Sequence, residues 1–186
     1  MYFLITIRAS IVFGIVPFLI FGLSITRLLS EWKRLFDTKK YFIPYLLYTI
    51  MLTELAVYSI FVYVQLIEKL PELNYINYML YLLPPVLFFI VVNIFTPDPG
   101  SDTKTYFINR MLLFFVLFAV FLASQYLYEL NETSDIHILR LVVIICLLIN
   151  GLFYRKIWLT YSILILWILG IILRGNMFLT ESISML

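Results

Sequence analysis

The sequence predicts an all-α integral membrane protein with six transmembrane helices and an interfacial amphipathic helix after helix 1. Three observations predict this class. Of the 186 residues, 63% are hydrophobic and only 13% are charged, and the mean hydropathy is +1.03, whereas soluble domains carry roughly 25% charged residues. Six apolar runs reach the length of about 20 residues that a helix needs to cross a ~30 Å hydrocarbon core. The runs are continuous, which favours helices over the alternating strands of a barrel.

The predicted helices and their short connections use up nearly the whole chain. We therefore expect a single polytopic transmembrane domain over residues 1–186, with a short tail after the last helix and no soluble catalytic domain. The helices are predicted at about 3–29, 42–67, 75–95, 105–130, 136–153 and 157–173, and the amphipathic segment at 27–40 overlaps the end of the first.

The segment 27–40 combines an apolar stripe with basic side chains. A tryptophan in such a stripe is typical of a helix that lies in the membrane interface. The segment is either a cuff that orients helix 1 or a docking face for anionic lipid or a cytosolic partner protein. The apolar stripe is Leu28, Leu29, Trp32, Leu35 and Phe36, and the candidate docking residues are Trp32, Lys33, Arg34, Lys39 and Lys40.

Glu54 lies near the middle of predicted helix 2 and is the one acid that the sequence places deep in the bilayer. A carboxylate at this depth is costly and is a functional candidate by default. One interpretation is structural, namely a hydrogen bond between helices or a pair with Arg8 of helix 1, although Arg8 is as easily explained by snorkelling to the headgroups. The other is a role in a permeation or proton path. Hydroxyls on the same helix are candidate partners: Tyr45, Tyr48, Tyr58 and Tyr63.

Two successive prolines, Pro84 and Pro85, interrupt predicted helix 3. They remove two backbone donors and leave the carbonyls of Leu80 and Tyr81 without their usual partners, so we expect the helix to bend or break there. A kink that fits the helix to its neighbours explains this pair. Discontinuous helices also build ion sites from freed carbonyls in transporters, and the two prolines fall at a similar depth to Glu54. The sequence therefore also predicts a permeation path lined by these residues.

Polar residues inside the other helices are candidates for contacts between helices. Asn93 and Asn150 are expected at one level of the inner leaflet, where amides hydrogen-bond across helices. The complete candidate set for such contacts is Arg8, Asn93, Asn150 and Gln125.

The residue types needed for membrane-embedded catalysis are sparse. The chain has one histidine, His137, and one cysteine, Cys146, so no disulfide, zinc site or haem site is expected. The prediction is no metal, no cofactor and no enzymatic activity, with an intramembrane enzyme as a third and weaker reading. Nucleic-acid binding has no support. In the loop after helix 3, Ser101 or Asp102 is expected to cap helix 4.

The basic residues are distributed unevenly between the two sides of the predicted helices. If the N-terminus is outside, the connections after helices 1, 3 and 5 hold nine of the thirteen basic residues, and the outer side holds Arg8, Lys69, Arg140 and Arg174. The positive-inside rule then places both termini outside. The predicted location is the cell membrane, of the kind expected for a small bacterial inner-membrane protein. No family motif can be assigned residue by residue.

Two functional hypotheses follow from the sequence. The first is an ion- or proton-conducting, channel-forming subunit that acts as a homo-oligomer. The alternative is a membrane-embedded interaction or sensing subunit that docks a cytosolic partner or anionic lipid through segment 27–40. The expected partners are therefore membrane lipids, further copies of the chain and, in the alternative, a cytosolic protein.

Overall fold

A computed structural model shows helices throughout the described residues and no strand among them. The backbone is described for residues 2–35, 42–69, 75–98, 100–126, 134–154 and 157–184, and the side chains for residues 14–32, 42–64, 75–98, 100–126, 137–152 and 157–172. The helices are α1 (Tyr2–Leu35), α2 (Ile43–Lys69), α3 (Tyr75–Phe95), α4 (Thr103–Tyr126), α5 (Ser134–Ile149), which continues into a π-helical turn (Asn150–Tyr154), and α6 (Ile157–Ser184).

Four of these helices are long and apolar enough to cross a membrane, counted over the described residues. Two shorter apolar runs, His137–Leu152 and Ile157–Ile172, lie in the second half of the chain. This agrees with the predicted class of helical membrane protein and indicates a membrane location. The long runs are Gly14–Trp32, Ile43–Val64, Tyr75–Phe95 and Thr103–Tyr126.

Two helix boundaries differ from the predicted ones. Helix α1 continues without interruption to Leu35, so the first part of the amphipathic segment extends α1 and is not a separate helix. Residues 36–41 of that segment lie outside the described part of the chain. Helix α6 continues to Ser184, where a short tail was predicted. The single glycine at position 175 weakens a helix by only about 1 kcal/mol, and no proline follows it to end the helix.

The chain divides into two compact units, residues 1–107 (unit 1) and residues 108–186 (unit 2). In unit 1, α1 packs against both α2 and α3. The buried positions of α1 recur at alternating steps of three and four residues, which is the spacing of a helix–helix seam. They are Gly14, Pro17, Phe21, Ser24, Leu28 and Glu31.

Aromatic rings fill the core of unit 1. Phe21 of α1 contacts the rings of Tyr63 on α2 and Phe88 on α3, with centroid separations of 5.5 and 5.6 Å. Tyr45 of α2 stacks on Phe95 of α3 at 4.5 Å with only 8° between the ring planes. Such pairs contribute about 0.5–1.5 kcal/mol each beyond their burial. Because they join different helices, they also fix the register of α1, α2 and α3.

In unit 2, α5 packs against α6. The π-helical turn at the end of α5 begins with the fully buried Asn150. The next residue, Gly151, approaches α4 so closely that a Cβ atom there would lie 3.2 Å from the Cβ atom of Phe115 and 3.5 Å from the carbonyl oxygen of Leu112. A side chain at this position would therefore make an unusually tight contact with α4.

The start of α4 is fixed by Asp102, which confirms the predicted cap. Its Oδ2 atom accepts hydrogen bonds from the backbone N–H of Thr105 at 3.0 Å and from the Thr105 hydroxyl at 2.6 Å. This is the geometry of an N-cap, in which a side-chain oxygen satisfies a free N–H of the first turn. These hydrogen bonds, with a smaller contribution from the charge of Lys104, lower the pKa of Asp102 from its usual value of 3.8.

Candidate functional site

Among the described acids of unit 1, the buried one is Glu31, near the end of α1. Its side chain is only 5% exposed. The hydroxyl of Tyr45 on α2 donates a hydrogen bond to Glu31 Oε2 at 3.1 Å. Tyr45 is itself buried and is held in place by its stacking on Phe95. The result is an enclosed carboxyl group with a donor oriented toward it by packing.

Glu31 was not among the predicted site residues, because residues 27–40 were predicted to form an interfacial segment with a solvated polar face. A signal for its burial was nevertheless present. The three-four spacing of Phe21, Ser24 and Leu28 continues without a break to position 31, so the buried face of α1 extends one turn further than the apolar residues do.

A row of hydroxyl groups leads along α2 from the Glu31 end toward the middle of the helix. The Thr49 hydroxyl donates to the carbonyl of Tyr45, and the Thr53 hydroxyl donates to the carbonyl of Thr49, each at 2.8 Å. Thr49 is fully buried and Thr53 is half-buried. Members of the row are four residues apart and therefore share one side of the helix.

Glu54 was predicted to be the acid buried at depth, and this is wrong in one respect, because its side chain is only half-buried. It lies at the centre of the apolar run Ile43–Val64. Residues spaced four before, three after and seven after it share its side of α2, and all three are exposed: Ile50 at 42%, Val57 at 58% and Phe61 at 49%. Glu54 thus lies within an outward-facing apolar row.

Two of the four tyrosines proposed as partners of Glu54 donate elsewhere. The Tyr45 hydroxyl donates its hydrogen bond to Glu31. The Tyr63 hydroxyl donates to the carbonyl of Tyr81 at 2.8 Å. These assignments could not be made from spacing along α2 alone, since both acceptors lie on other helices.

The proline pair does not break α3, which is one helix from Tyr75 to Phe95. Pro84 and Pro85 are both buried. Pro85 lacks the N–H that would normally bond the carbonyl of Tyr81, and Tyr63 from α2 supplies the missing donor. The Tyr81 carbonyl is therefore occupied within the core of unit 1. Of the predicted bend or break, the break is wrong because α3 is continuous, and the bend stays a prediction. The side chain of Leu80 is 46% exposed and turned away from that core.

The register of unit 1 shows how the candidate residues lie relative to one another. Tyr45 lies against Phe95, and Tyr63 lies against Tyr81 at 4.8 Å. Interpolation between these pairs puts Glu54 level with about Phe88, roughly one turn from Pro84. The similar depth inferred from the sequence is therefore consistent with the packing.

The same register argues against a direct pair between Glu54 and Arg8. The contacts of Glu31 with Tyr45 and of Phe21 with Tyr63 place Glu54 level with about Thr26 of α1. Arg8 lies about 18 residues earlier on that helix, or about 27 Å along its axis. The Arg8 side chain itself lies outside the described residues.

The remaining polar candidates fall in both units. Asn93 in unit 1 donates to the carbonyl of Phe89 in its own helix at 2.8 Å, and its predicted contact with Asn150 stays a prediction. Gln125 in unit 2 is buried, at 4% exposure. Arg140, which the sequence placed at the outer interface, is only 6% exposed. The ring of His137, three residues before Arg140, lies 4.8 Å from that of Tyr126.

The predicted docking stripe is divided between two faces of α1. Leu28 is fully buried against the core of unit 1, whereas Leu29 is 50% and Trp32 is 36% exposed. The described members of the stripe therefore differ in burial, and its role as a docking face stays a prediction. The side chains of Lys33 and Arg34, and the whole of Lys39 and Lys40, lie outside the described residues.

Among the described side chains, no group of three or more His, Cys, Asp or Glu residues is placed to hold a metal ion. Comparison of the chain with family models, with curated proteins and with solved structures finds no match. The functional proposals below are therefore based on the residues of unit 1, chiefly Glu31, the hydroxyl row and Glu54.

Proposed function

We propose that this protein is a channel-forming subunit of the cell membrane that conducts ions or protons as a homo-oligomer, with Glu54 at a contact between copies beside the path. The observation that supports this most directly is the position of Glu54. Its side chain is half-buried at the centre of an apolar run and lies in the outward-facing row with Ile50, Val57 and Phe61.

In a membrane, the outward-facing row of α2 is covered either by lipid or by protein. An apolar row alone is well solvated by lipid. A charged side chain at the bilayer centre costs about 3 kcal/mol even on insertion scales, so the exposed part of the Glu54 side chain favours contact with protein or water over contact with lipid. Burial against another copy, with water along the contact, removes that cost. A self-complementary face on α2 also fits the symmetric contacts by which most homo-oligomers assemble.

The proline pair has a different part in this proposal from the one expected from sequence. The carbonyl of Tyr81 is satisfied by Tyr63, and α3 is continuous. We therefore assign Tyr81, Pro84 and Pro85 to the scaffold that supports α2, and Leu80, which faces away from that core, has no part in the path. The conducting path passes Glu54 on α2.

The proposed arrangement in the membrane has six spans with both termini outside. Its support is the uneven placement of basic residues, nine of thirteen of which then lie on the cytoplasmic side. Helices α1 to α4 contain runs of full spanning length, and α5 and α6 complete the six with shorter runs.

The test combines subunit counting with flux measurements. The protein is purified in lipid, its copies are counted by mass photometry of nanodiscs, and ion flux is measured in liposomes with trapped pH-sensitive and potassium-sensitive dyes. We expect a closed oligomer and a flux that Glu54→Gln reduces. A second variant, Val57→Trp, should disrupt assembly because it alters the same row, whereas Val86→Trp on the exposed side of α3 is the matched control and should leave assembly intact.

A folded monomer, or an oligomer whose flux is unchanged in Glu54→Gln, would contradict the proposal. The alternative function is then a docking subunit. It is favoured by the exposure of Leu29 and Trp32 on a helix whose next residues are Lys33 and Arg34. Reversal of both basic residues to glutamate should in that case abolish binding to vesicles that contain phosphatidylglycerol or to a cytosolic partner.

A further inference from the structure

The proposed function gives a role to Glu54 but none to Glu31. Glu31 is the more deeply buried of these two acids and lies close to the inner end of the run Gly14–Trp32. Its donor, Tyr45, begins the hydroxyl row that continues through Thr49 to Thr53, the residue directly before Glu54. Hydroxyl-bearing side chains thus lie on one side of α2 between the levels of Glu31 and Glu54, and Thr53 is next to Glu54 in the chain.

We propose that the conducted species is the proton, and that Glu31 is the carboxylate that exchanges protons with the cytoplasmic side. The hydroxyl row then carries protons between Glu31 and Glu54. This inference rests on the proposed function, because it assigns the species and the entry point of the same path.

The chemistry of the row favours a proton over a metal cation. Calcium and magnesium sites need about six oxygen ligands around one point, whereas the members of the hydroxyl row are spread one turn apart along α2. A proton needs only one acceptor at a time. Each threonine hydroxyl donates its hydrogen to a backbone carbonyl, and its oxygen still has lone pairs that accept another.

The transfer steps conserve charge and need no other reactant. A hydronium ion at the cytoplasmic surface gives its proton to a carboxylate oxygen of Glu31, which forms the neutral acid and releases water. The acid passes a proton to the next oxygen, which releases its own hydrogen onward and keeps its valence, until Glu54 is reached. The backbone positions of the row are one helical turn apart, about 5.4 Å, and Thr53 and Glu54 lie about 100° apart around α2, so each transfer requires a bridging water or a rotation of the side chain.

Among the described side chains near Glu31, the charged groups are exposed and the other titratable groups are tyrosines. On α1, Arg27 lies one turn earlier and is exposed. On α2, the nearest titratable groups are Tyr45 and the fully buried Tyr48. The final two turns of α3 carry no ionisable side chain, and the charged residues that follow them, Asp98, Asp102 and Lys104, are exposed.

The experiment measures proton and potassium flux in parallel in liposomes that contain the full-length protein. The variants are Glu31→Gln, Tyr45→Phe and Thr49→Val, with Thr26→Val as the matched control. Thr26 also donates to a carbonyl one turn earlier, that of Gly22 at 2.9 Å, but it is exposed. We expect the wild type to carry protons and little potassium. Glu31→Gln should lower proton flux by at least about tenfold, as loss of a proton-transfer group does.

Tyr45→Phe and Thr49→Val should each reduce proton flux several-fold while the assembled protein remains intact by size-exclusion chromatography, and Thr26→Val should conduct like the wild type. These two variants decide the question if Glu31→Gln does not insert, since they remove only a hydroxyl or replace it with a methyl group. Partial recovery of flux in Glu31→Asp would support a carboxyl role over a merely structural one.

The outcomes separate this inference from the proposed function. If flux depends on Glu54 but is unchanged by all three variants, the role of Glu31 is refuted and the channel stands. Equal potassium and proton flux would overturn the assignment of the proton. A wild type that conducts no ion at all refutes both.

Discussion

Glu31 and Glu54 show how strongly the environment of one residue type differs within unit 1. Glu31 lies on the face of α1 that packs against α2 and is enclosed there with the Tyr45 hydroxyl. Glu54 lies on the outward side of α2, beside exposed apolar residues. Glu31, in the polar segment, is therefore buried, and Glu54, in the apolar helix, is half-buried.

Tyr63 has a role that only the packing reveals. Its buried hydroxyl donates to the carbonyl of Tyr81, the acceptor that Pro85 leaves without a backbone donor. A buried acceptor without a partner costs about 1–3 kcal/mol. Tyr63 thus makes the second proline of α3 compatible with a continuous helix.

The first prediction concerns this contact. Tyr63→Phe should lower the free energy of unfolding by about 1–3 kcal/mol, because the Tyr81 carbonyl loses its donor in the core. The measurement is reversible unfolding in mixed micelles with increasing denaturing detergent. Tyr75→Phe is the matched control, since Tyr75 is 77% exposed, and it should have little effect.

A double-mutant cycle makes the test specific. In a Pro85→Ala background the alanine N–H can bond the Tyr81 carbonyl, so Tyr63→Phe should cost clearly less there than in the wild type. Equal costs in the two backgrounds would show that the hydroxyl acts in some other way.

At the scale of the helix, the end of α5 is shaped by its contact with α4. The π-helical turn Asn150–Tyr154 brings Gly151 against Phe115. Phe115 is fully buried, and the contact involves its Cβ atom, which cannot move aside by a change of rotamer. The contact therefore fixes how closely these two elements approach within unit 2.

The second prediction compares two glycines in helices. Gly151→Ala should destabilise the protein by about 1–3 kcal/mol, because the added methyl group overpacks the contact with Phe115. Gly22→Ala should be neutral or stabilise by up to about 1 kcal/mol, because a Cβ there meets nothing within 4 Å and alanine is the better helix former. Thermal unfolding of both variants in the same detergent is the measurement. A stable Gly151→Ala would mean that α4 and α5 adjust to the added group.

At the scale of the whole molecule, the chain forms two compact units, residues 1–107 and 108–186. Unit 1 contains Glu31, the hydroxyl row and Glu54. The proposed path therefore depends on α1, α2 and the support of α3. Unit 2 contains other buried polar groups, among them Arg140 and Asn150, to which the proposed function assigns no part.

The third prediction concerns orientation in the membrane. In a Cys146→Ala background, which removes the one cysteine, Tyr75→Cys should react with a membrane-impermeant maleimide added to intact cells. Ser101→Cys should react only after the membrane is permeabilised. These positions flank α3 on its two sides, and the expectation follows from the placement of basic residues. The opposite labelling pattern would invert the topology, and the cytoplasmic side would then lie at the Glu54 end of the hydroxyl row.

The sequence by itself determined the class of protein, because composition and run length directly report the free energy of placing a helix in hydrocarbon. Helix α3 was located at its observed bounds, and the cap of α4 was found from the local preference of aspartate for that position. Such features depend on neighbouring residues only. Two helices extend beyond their predicted ends. Helix α1 continues to Leu35, where its packing continues, and α6 continues to Ser184, where no residue signals a stop.

The tertiary structure decided which polar groups are enclosed and what they contact. Spacing along α2 identified Tyr45 and Tyr63 as donors, but their acceptors, Glu31 and the carbonyl of Tyr81, belong to other helices. The burial of Glu31 and the outward position of Glu54 depend on which face of each helix meets its neighbours. In an almost uniformly apolar chain the pattern of hydrophobicity scarcely distinguishes one face from another, so only the packing of large aromatic side chains selects the register and, with it, the site.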